Sequence, residues 1–261
     1  MSAAATREEA ARQTLVRLPA GSLLIGDLHL DVGLDPETSG VLALENWLER
    51  ARGAPALVVL GDLFEYWLGP AQERSAGGRR VLDALARLAR TGCAIELLLG
   101  NRDFLLTREA AARAGARLHP EGFVAELEGG RRALVLHGDT LCTLDSGYQR
   151  LRRVLRSSPV RALGRRVPAP LGHWIARRLR RASEKAVGGK RAEELSIQPS
   201  AAVEAARASD CELVVCGHAH RFRDELLAGG VRLCVVDAFG GARDTLVVEA
   251  DGQLAPRPRG A

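Results

Sequence analysis

A series of short apolar runs, each ending directly in small and polar residues, constrains the fold of this chain more than any other feature. Each run has the length and composition of a buried strand of about four or five residues. The five runs are residues 23–25, 57–60, 95–99, 133–136 and 213–215. Helical patterns separate the first three runs and follow the third, at residues 41–50, 79–90 and 107–114. Strands that alternate with helices predict an α/β sheet.

The second half of the chain has a different pattern, in which apolar runs are joined by Gly-Gly pairs. Residues 123–127 and 132–136 flank one such pair, and residues 223–227 and 231–236 flank another. Each arrangement predicts a β-hairpin, and residues 245–249 predict a further strand. We therefore expect a second, mixed or antiparallel sheet that packs against the first.

A basic insertion with helical patterning, residues 145–207, interrupts this β-rich half. Between Arg150 and Arg191 there are 12 Arg and 2 Lys against one acid, Glu184, although the whole chain has a net charge of only +5. A strongly basic segment on an otherwise acidic body predicts an anionic partner: nucleic acid, anionic lipid or a phosphate-bearing substrate. The predicted core is residues 20–144 and 208–250, and residues 1–19 and 251–261 are predicted to be flexible ends.

Composition excludes several classes of protein. With 261 residues, of which 46% are hydrophobic and 26% charged, the chain can bury a sizeable core and is not a disordered tail. No apolar run approaches the roughly 20 residues that span a bilayer. Residues 1–20 carry charges without an apolar centre, which is unlike a secretory signal. Five cysteines without a C-x-x-C pair predict a reduced, cytoplasmic chain.

Metal-ligating residue types follow all five predicted strands. Because the carboxyl ends of strands in an open α/β sheet form the ligand site, we expect these side chains to converge. Alternate residues of an extended chain face the same side, so Asp27 and His29 can share one ion, as can His218 and His220. The candidate ligands are Asp27, His29, Asp62, Asn101, His137, His218 and His220.

Three oxygen and four imidazole ligands exceed what one tetrahedral zinc ion needs. They suit two ions about 3.5–4 Å apart, with positions left for water and substrate. Asp62 stands between the two groups in sequence and is the candidate bridging carboxylate. The absence of cysteine ligands and the share of oxygen favour Mn²⁺ or Fe²⁺ over structural zinc. Such a centre predicts hydrolysis of a phosphoester or phosphoanhydride by a hydroxide that two metals activate.

The order D-x-H, G-D, G-N-R, H, G-H-x-H resembles the calcineurin-like metallophosphoesterase superfamily over residues 27–220. The resemblance implies an α/β/β/α sandwich of mixed sheets with a helical lid insertion. It also implies that one ion is held by Asp27, His29, Asp62 and His220. The implied ligands of the other ion are Asp62, Asn101, His137 and His218.

One departure from the superfamily pattern points to a particular branch. Most members carry His after the Asn, whereas this chain has Arg102, which clamps phosphate oxygens but does not donate a proton at neutral pH. The extended motifs at residues 61–67, 100–106 and 137–149 resemble enzymes of lipid A biosynthesis. Those enzymes hydrolyse UDP-2,3-diacylglucosamine to 2,3-diacylglucosamine 1-phosphate and UMP. The implied catalytic residues are Asp62, Asn101 and Arg102, with two divalent ions, typically Mn²⁺, as cofactors.

The basic insertion matches the substrate-binding lid of that branch. An apolar set at helical spacing, with arginines around it, is typical of a helix that covers acyl chains or lies on an anionic membrane surface. The set comprises Leu171, Trp174, Ile175 and Leu179. The resemblance implies substrate contacts from Asn101, Arg102, Asp145, Tyr148, Arg180, Ser183, Lys190 and His218. It further implies peripheral association with the cytoplasmic face of the inner membrane. Val187, where the branch has a polar contact, departs from the pattern.

Two alternatives remain open at the level of sequence. The chain could be another calcineurin-like phosphoesterase that acts on a nucleotide or a phosphoprotein. It could also bind nucleic acid through the basic insertion. Against nucleic acid, Trp174 is the one aromatic residue of the insertion after Tyr148, so a platform for stacking bases is poorly supplied. We therefore expect no nucleic-acid partner.

Overall fold

The computed structural model describes residues 15–33, 40–67, 69–157, 159–160, 178 and 192–257. The predicted substrate contacts Arg180, Ser183 and Lys190 lie outside these residues, as do Val187 and the apolar set of the insertion. The parts of the insertion that the structure describes at length, residues 145–157 and 192–207, are largely helical.

Two six-stranded sheets form the framework of the described residues. The first sheet has the order β12-β11-β2-β3-β4-β5, and the second has the order β1-β6-β7-β8-β10-β9. The strands of the first sheet are β2 (Leu23–Ile25), β3 (Ala56–Val59), β4 (Ala94–Leu98), β5 (Ala116–His119), β11 (Thr245–Val248) and β12 (Leu254–Pro256). The strands of the second sheet are β1 (Leu15–Leu18), β6 (Phe123–Leu127), β7 (Arg132–Val135), β8 (Leu213–Cys216), β9 (Arg223–Leu226) and β10 (Arg232–Val235).

The first sheet has a parallel centre, which brings the carboxyl ends of three ligand-bearing strands to one edge. β2 pairs with β3 through Leu23 and Leu57, and β3 pairs with β4 through Ala56 and Ala94. Every residue of β2 and β3 is buried, which is why these strands are continuously apolar rather than alternating. The predicted α/β arrangement of this half is confirmed.

The second sheet is mixed, as the Gly-Gly pairs predicted. β6 and β7 pair antiparallel as a hairpin across residues 128–130, and β9 and β10 do the same across residues 228–230. β7 and β8 are parallel, so both end at the same edge of the sheet. His137, His218 and His220 follow these two strands at this edge.

Helices flank the two sheets. Those whose bounds lie within the described residues are α1 (Val41–Arg50), α2 (Pro70–Glu73), α3 (Ala76–Ala89), α4 (Arg108–Arg113), α5 (Ser146–Leu155), α6 (Ala192–Leu195) and α7 (Pro199–Ala208). Side chains from α1, α3 and α4 pack on the outer face of the first sheet, and side chains from α7 pack on the second. A third apolar cluster, with residues of both sheets, lies between them. This α/β/β/α order confirms the predicted fold class.

Three strands, β1, β5 and β12, are absent from the sequence prediction. Leu15–Leu18 pairs parallel with β6, and Leu254–Pro256 pairs antiparallel with β11. The expectation of flexible ends at residues 1–19 and 251–261 therefore does not hold for these two segments. Short edge strands carry a weak local signal, because their pairing with a neighbour decides their conformation.

Two findings bear on compartment and membrane. All five cysteines are described, and each is a free, buried thiol. Among the described residues, no helix combines the length and apolar character needed to cross a membrane.

Candidate metal centre

Seven candidate ligands meet where the two sheets bring their carboxyl edges together. Asp27 and His29 follow β2, Asp62 follows β3, and Asn101 follows β4 in the first sheet. In the second sheet, one histidine follows β7 and two follow β8. These are His137, His218 and His220. Side chains separated by up to 193 positions in the sequence therefore form a single cluster.

The first group in this cluster is Asp27, His29 and His220. Their ligand atoms all lie within 4.8 Å of one another. The Nε2 atoms of His29 and His220 are 3.0 Å apart, and the Asp27 Oδ1 atom lies 3.7 Å from Nε2 of His220. Two imidazoles and one carboxylate at these distances can coordinate one cation.

The second group is Asp27, Asp62 and His137, whose ligand atoms also lie within 4.8 Å of one another. The His137 Nε2 atom is 3.7 Å from Oδ2 of Asp62. The other ring nitrogen of His137, Nδ1, is 2.9 Å from the carbonyl oxygen of Leu60. A proton on Nδ1 satisfies that carbonyl and leaves the Nε2 lone pair directed at the cluster, as in a metal-ligating imidazole.

Asp62 reaches both groups. Its Oδ2 atom lies 4.0 Å from Nε2 of His29 and 3.7 Å from Nε2 of His137. The terminal amide of Asn101 lies 3.0 Å and 2.5 Å from the two oxygens of Asp62. In one orientation of this amide, its nitrogen donates to the carboxylate. In the other, its oxygen joins the carboxylate in facing a shared cation.

His218 lies on the second-sheet side of the cluster. Its ring centroid is 5.0 Å from that of His137, with the two rings nearly perpendicular, and the Tyr148 ring stacks on it at 6.4 Å. The His218 backbone N–H donates a 2.7 Å hydrogen bond to Oδ2 of Asp27. This bond ties the loop after β8 to the loop after β2 across the two sheets.

Polar atoms without partners show that the cluster fits a cation. Among the described residues, Oδ1 of Asp27, Nδ1 of His29 and Nε2 of His137 are buried and accept or donate no hydrogen bond. Two of these atoms, on Asp27 and His137, belong to the groups just described. Since buried polar atoms are normally paired, the two orphans are the positions that a bound ion would satisfy. The mixed nitrogen and oxygen donors suit a divalent ion.

The ligand residues also hold a strained backbone. Of six non-glycine residues with positive φ among the described residues, five are candidate ligands. They are Asp27 (53°), His29 (50°), Asp62 (50°), His218 (68°) and His220 (53°). Each such conformation costs about 1–3 kcal/mol, and such costs concentrate at functional sites. Left-handed backbone lets consecutive residues of a tight loop direct several side chains inward.

The glycines that precede the ligands serve chiefly for close approach. Of the four glycines that precede the ligands, Gly26, Gly61, Gly100 and Gly217, only Gly61 has positive φ, at 98°. A Cβ on Gly100 would lie 1.9 Å from Oδ1 of Asp62. A Cβ on Gly217 would lie 2.6 Å from Oδ2 of Asp27. Any side chain at these positions would displace a carboxylate.

Burial sets the electrostatics of the cluster. It raises the pKa of Asp27 to about 7 and the pKa of Asp62 well above its ordinary value, and Asp103 adds repulsion at Asp62. Burial also lowers the pKa of His29 and His218 to about 3, which keeps both imidazoles neutral. Neutral imidazoles are the form that binds metal, and a cation replaces the protons that crowded carboxylates would otherwise retain.

Arg102 lies at the rim of the cluster. Its backbone N–H donates a 2.9 Å hydrogen bond to Oδ1 of Asp62. Its guanidinium donates from Nη1 to Oε1 of Glu65 at 2.5 Å, and its side chain is 37% exposed. The guanidinium therefore lies beside the candidate ligands and still reaches solvent.

Sequence reasoning did not identify Asp103 as a site residue, yet this buried carboxylate joins two of the ligand loops. Its Oδ1 accepts the N–H of Gly100 at 2.8 Å, and its Oδ2 accepts the N–H of Leu63 at 2.8 Å. Burial raises the pKa of Asp103 despite these bonds. The sequence signal that could have identified Asp103 is its position directly after Asn101 and Arg102.

The beginning of the insertion is anchored beside the cluster. Asp145 caps α5 by accepting the Tyr148 N–H at 2.9 Å, and the Tyr148 hydroxyl donates to Asp139 at 2.6 Å. Asp139 also accepts from Nε of Arg152 at 2.8 Å. Arg156 donates to the carbonyl oxygen of Gly100 at 3.1 Å, directly before Asn101. Of these residues, sequence reasoning singled out Asp145 and Tyr148 and missed the carboxylate and two arginines that hold the helix.

Comparison with known proteins agrees with this geometry. Residues 22–222 match the family described as calcineurin-like phosphoesterase. A protein of Aeromonas hydrophila named UDP-2,3-diacylglucosamine hydrolase is 39% identical over 77% of this chain and 81% of its own length. A protein of Ralstonia nicotianae with the same name is 37% identical over 95% of this chain and 96% of its own length. A third, from Aeromonas salmonicida, is 40% identical over 77% of each chain.

These matches cover the whole span of the candidate ligands and most of the chain. The family match, at residues 22–222, contains all seven candidate ligands. The chain belongs to the calcineurin-like phosphoesterase family.

Proposed function

We propose that this protein hydrolyses the pyrophosphate bond of UDP-2,3-diacylglucosamine, releasing 2,3-diacylglucosamine 1-phosphate and UMP as a step of lipid A biosynthesis. Water adds to one phosphorus atom of the pyrophosphate, the bridging P–O bond breaks, and the other phosphate leaves. Several relatives that span most of this chain carry the name of this hydrolase, which supports the assignment.

The observation that carries the proposal is the clustering of the seven candidate ligands, three of which have a buried polar atom without a hydrogen-bond partner. We assign one divalent ion to Asp27, His29, Asp62 and His220. We assign the other to Asp62, Asn101, His137 and His218. When bound, two such ions lower the pKa of water and stabilise the negative charge that develops in phosphoryl transfer. We propose Mn²⁺ as the metal, because the ligands are imidazoles and oxygens without a thiolate.

Arg102 and Asn101 are the residues through which the chain would bind the phosphates. The guanidinium at the rim offers planar donors to two oxygens of one phosphate, and its charge offsets the charge of the pyrophosphate. Its link to Asp62 through the backbone N–H holds this donor at a constant distance from the ligands. His218, on the opposite side, completes the proposed phosphate contacts.

The insertion is the part that would recognise the acylated sugar. Its first helix, α5, starts beside His218 and exposes Leu151 and Val154 to 46% and 58%. Asp145 and Tyr148, together with Arg180, Ser183 and Lys190, are the proposed contacts to the diacylglucosamine. The 12 Arg and 2 Lys in residues 150–191 favour an anionic membrane surface, so we place the enzyme on the cytoplasmic face of the inner membrane.

Product analysis with the acylated nucleotide sugar tests this function. The chelated protein should be inactive, and Mn²⁺ should restore release of UMP from UDP-2,3-diacylglucosamine. UDP-N-acetylglucosamine, which has only a short acetyl group at position 2 and no acyl group at position 3, serves as the matched substrate control and should react poorly. Turnover of p-nitrophenyl phosphate without turnover of the acylated substrate would contradict the assignment and favour a different phosphoesterase.

A further inference from the structure

Glu65 is a buried carboxylate beside the candidate ligands that belongs to neither ion. It lies in the loop after β3, three positions beyond Asp62, and is 9% exposed. The Glu65 N–H donates to the carbonyl oxygen of Leu30 at 3.0 Å, and the His29 N–H donates to that of Asp62 at 2.9 Å. The loops after β2 and β3 are thus joined on both sides of the ligands, which holds the Glu65 backbone in place.

The two oxygens of Glu65 face two different site residues. Oε1 accepts a 2.5 Å hydrogen bond from Nη1 of Arg102. Oε2 lies 3.5 Å from Nδ1 of His29, the ring nitrogen on the side away from His220. One carboxylate therefore lies next to both the proposed phosphate-binding guanidinium and a proposed metal-ligating imidazole.

We propose that Glu65 is a positioning residue that orients Arg102 for the substrate phosphate and His29 for the metal, an inference that rests on the function proposed above. The Glu65 carboxylate accepts no hydrogen bond from His29 Nδ1, but at 3.5 Å its charge favours the tautomer with the proton on that atom, which leaves the Nε2 lone pair directed at the cluster. The same carboxylate accepts a hydrogen bond from Nη1 of Arg102. The other N–H donors of the guanidinium then keep a fixed orientation toward the rim of the cluster.

A purely structural role predicts something different. If Glu65 served only to neutralise the Arg102 guanidinium, its loss would lower stability but would leave metal affinity unchanged in the protein that remains folded. Metal affinity and kcat/KM measured on folded protein therefore distinguish the two roles.

The central experiment combines Glu65→Gln with Arg102→Ala. Glu65→Gln keeps the size of the side chain and removes its charge. It should lower kcat/KM for the acylated nucleotide sugar about 10–100-fold. Since Arg102 carries part of that loss, the double variant should lose less than the product of the two single effects. Independent, multiplicative effects would refute the Arg102 half of the proposal.

Calorimetric titration of Mn²⁺ into the chelated protein tests the His29 half without any turnover. Glu65→Gln should weaken Mn²⁺ binding about 10-fold or more, whereas Arg102→Ala should leave it within about twofold of the unmutated chain. Glu65→Asp, which retains the charge, should recover part of the loss. Equal Mn²⁺ affinity in Glu65→Gln and the unmutated chain would overturn this half.

Glu73→Gln is the matched control. Glu73 forms an ion pair with Arg113 at 2.6 Å, away from the candidate ligands, so its loss should change neither kcat/KM nor Mn²⁺ affinity. Thermal unfolding of every variant identifies folded protein. If Glu65→Gln fails to fold, Glu65→Asp replaces it, and unchanged Mn²⁺ affinity and kcat/KM there would refute the proposal. If the unmutated chain does not hydrolyse the acylated substrate, the proposed function fails, while the Mn²⁺ titration still decides the role of Glu65 at His29.

Discussion

The two sheets contribute unequally to the candidate metal centre. The first sheet supplies all three oxygen ligands, Asp27, Asp62 and Asn101, and one imidazole, whereas the second sheet supplies only imidazoles. The two acids of the first sheet are almost fully buried, at 2% and 1% exposure, while the His220 side chain of the second sheet is 43% exposed. The buried acids of the first sheet and the imidazoles of the second, of which His137 is buried and His220 is exposed, together make one site.

The loops of the two sheets are also held differently. The loops after β2 and β3 are bonded to each other through backbone groups, with the Asp27 N–H donating to Gly61 at 3.2 Å and the His29 N–H to Asp62 at 2.9 Å. The loop after β8 meets them through side chains instead: the His218 N–H donates to Asp27, and Nε2 of His220 lies 3.0 Å from Nε2 of His29. The first sheet is therefore the rigid base of the site, and the second sheet depends on it for orientation.

The largest expected effect comes from replacing the residue that reaches both ligand groups. Asp62→Ala should lower kcat/KM at least about 1,000-fold, equivalent to ~4 kcal/mol of transition-state stabilisation. His220→Ala, which removes one exposed ligand of the second sheet, should cost less. Steady-state kinetics on the acylated nucleotide sugar measures both. A larger loss for His220→Ala than for Asp62→Ala would reverse our ranking of the two sheets.

The two close-packed glycines offer a comparison without removing any ligand. Gly100→Ala places a Cβ 1.9 Å from Oδ1 and 2.3 Å from the backbone nitrogen of Asp62, so the base of the site must move. Gly217→Ala meets chiefly the Asp27 carboxylate, at 2.6 Å, and a side chain can shift more easily than backbone. We expect Gly100→Ala to lose more activity and bound metal, measured by kinetics and elemental analysis.

Gly147→Ala, in helix α5, is the matched control for these variants. The nearest atom to its added Cβ is 3.7 Å away, an ordinary contact. It should therefore retain activity and metal content. Equal losses of activity and bound metal in Gly100→Ala and Gly147→Ala would show that the close packing of Gly100 against Asp62 is unimportant.

Removing the divalent ion should lower thermal stability, because the buried acids then face each other without a cation. A ligand present at 100 times its Kd stabilises a protein by about 2.7 kcal/mol. For a chain of this size, such a change shifts Tm by roughly 5–10 °C. Differential scanning calorimetry with and without chelator measures the shift. Asp27→Ala should show a much smaller shift, and an unchanged Tm in the unmutated chain would contradict a metal centre.

The smallest expected effect concerns an ion pair distant from both halves of the site. Glu45 accepts from Arg80 at 3.0 and 2.7 Å, and this hydrogen bonding holds the Glu45 pKa below its ordinary value. The ion pair therefore stabilises the fold above the pKa that Glu45 has in the unfolded chain. This stabilisation is lost as the pH falls through the lower pKa that Glu45 has in the folded chain. Glu45→Gln should cost only about 0–1 kcal/mol, because water screens the pair. Urea unfolding at pH 7 measures this baseline, and a loss above ~2 kcal/mol would contradict it.

Much of the framework could be predicted because its signals are local. Short apolar runs indicated β2, β3 and β4, the last interrupted by Glu96, and Gly-Gly pairs indicated both hairpins of the second sheet. The strand ends with Asp, Asn and His also indicated which side chains to expect at one edge. Each of these inferences needs only a few neighbouring residues and the rule that strand ends gather at an edge.

The remainder depends on partners that are distant in the sequence. Edge strands such as Leu15–Leu18 acquire their conformation from pairing, in this case with β6. The left-handed backbone of the ligands could not be predicted, because residues other than glycine rarely adopt positive φ. The partners of Glu65 lie 36 and 37 positions away, at His29 and Arg102, so no local pattern identifies its role.

By itself, the sequence determined the alternation of strands and helices, the identity of the seven candidate ligands and the charge of the insertion. These properties depend on residue type and on short spacings along the chain, which can be read from the sequence without knowledge of the fold. Tertiary structure alone decided that acids come from one sheet and most imidazoles from the other, and that Glu65, Asp103 and Asp139 hold their neighbours in place. Those properties arise because burial and hydrogen bonding join residues that only a folded chain brings together.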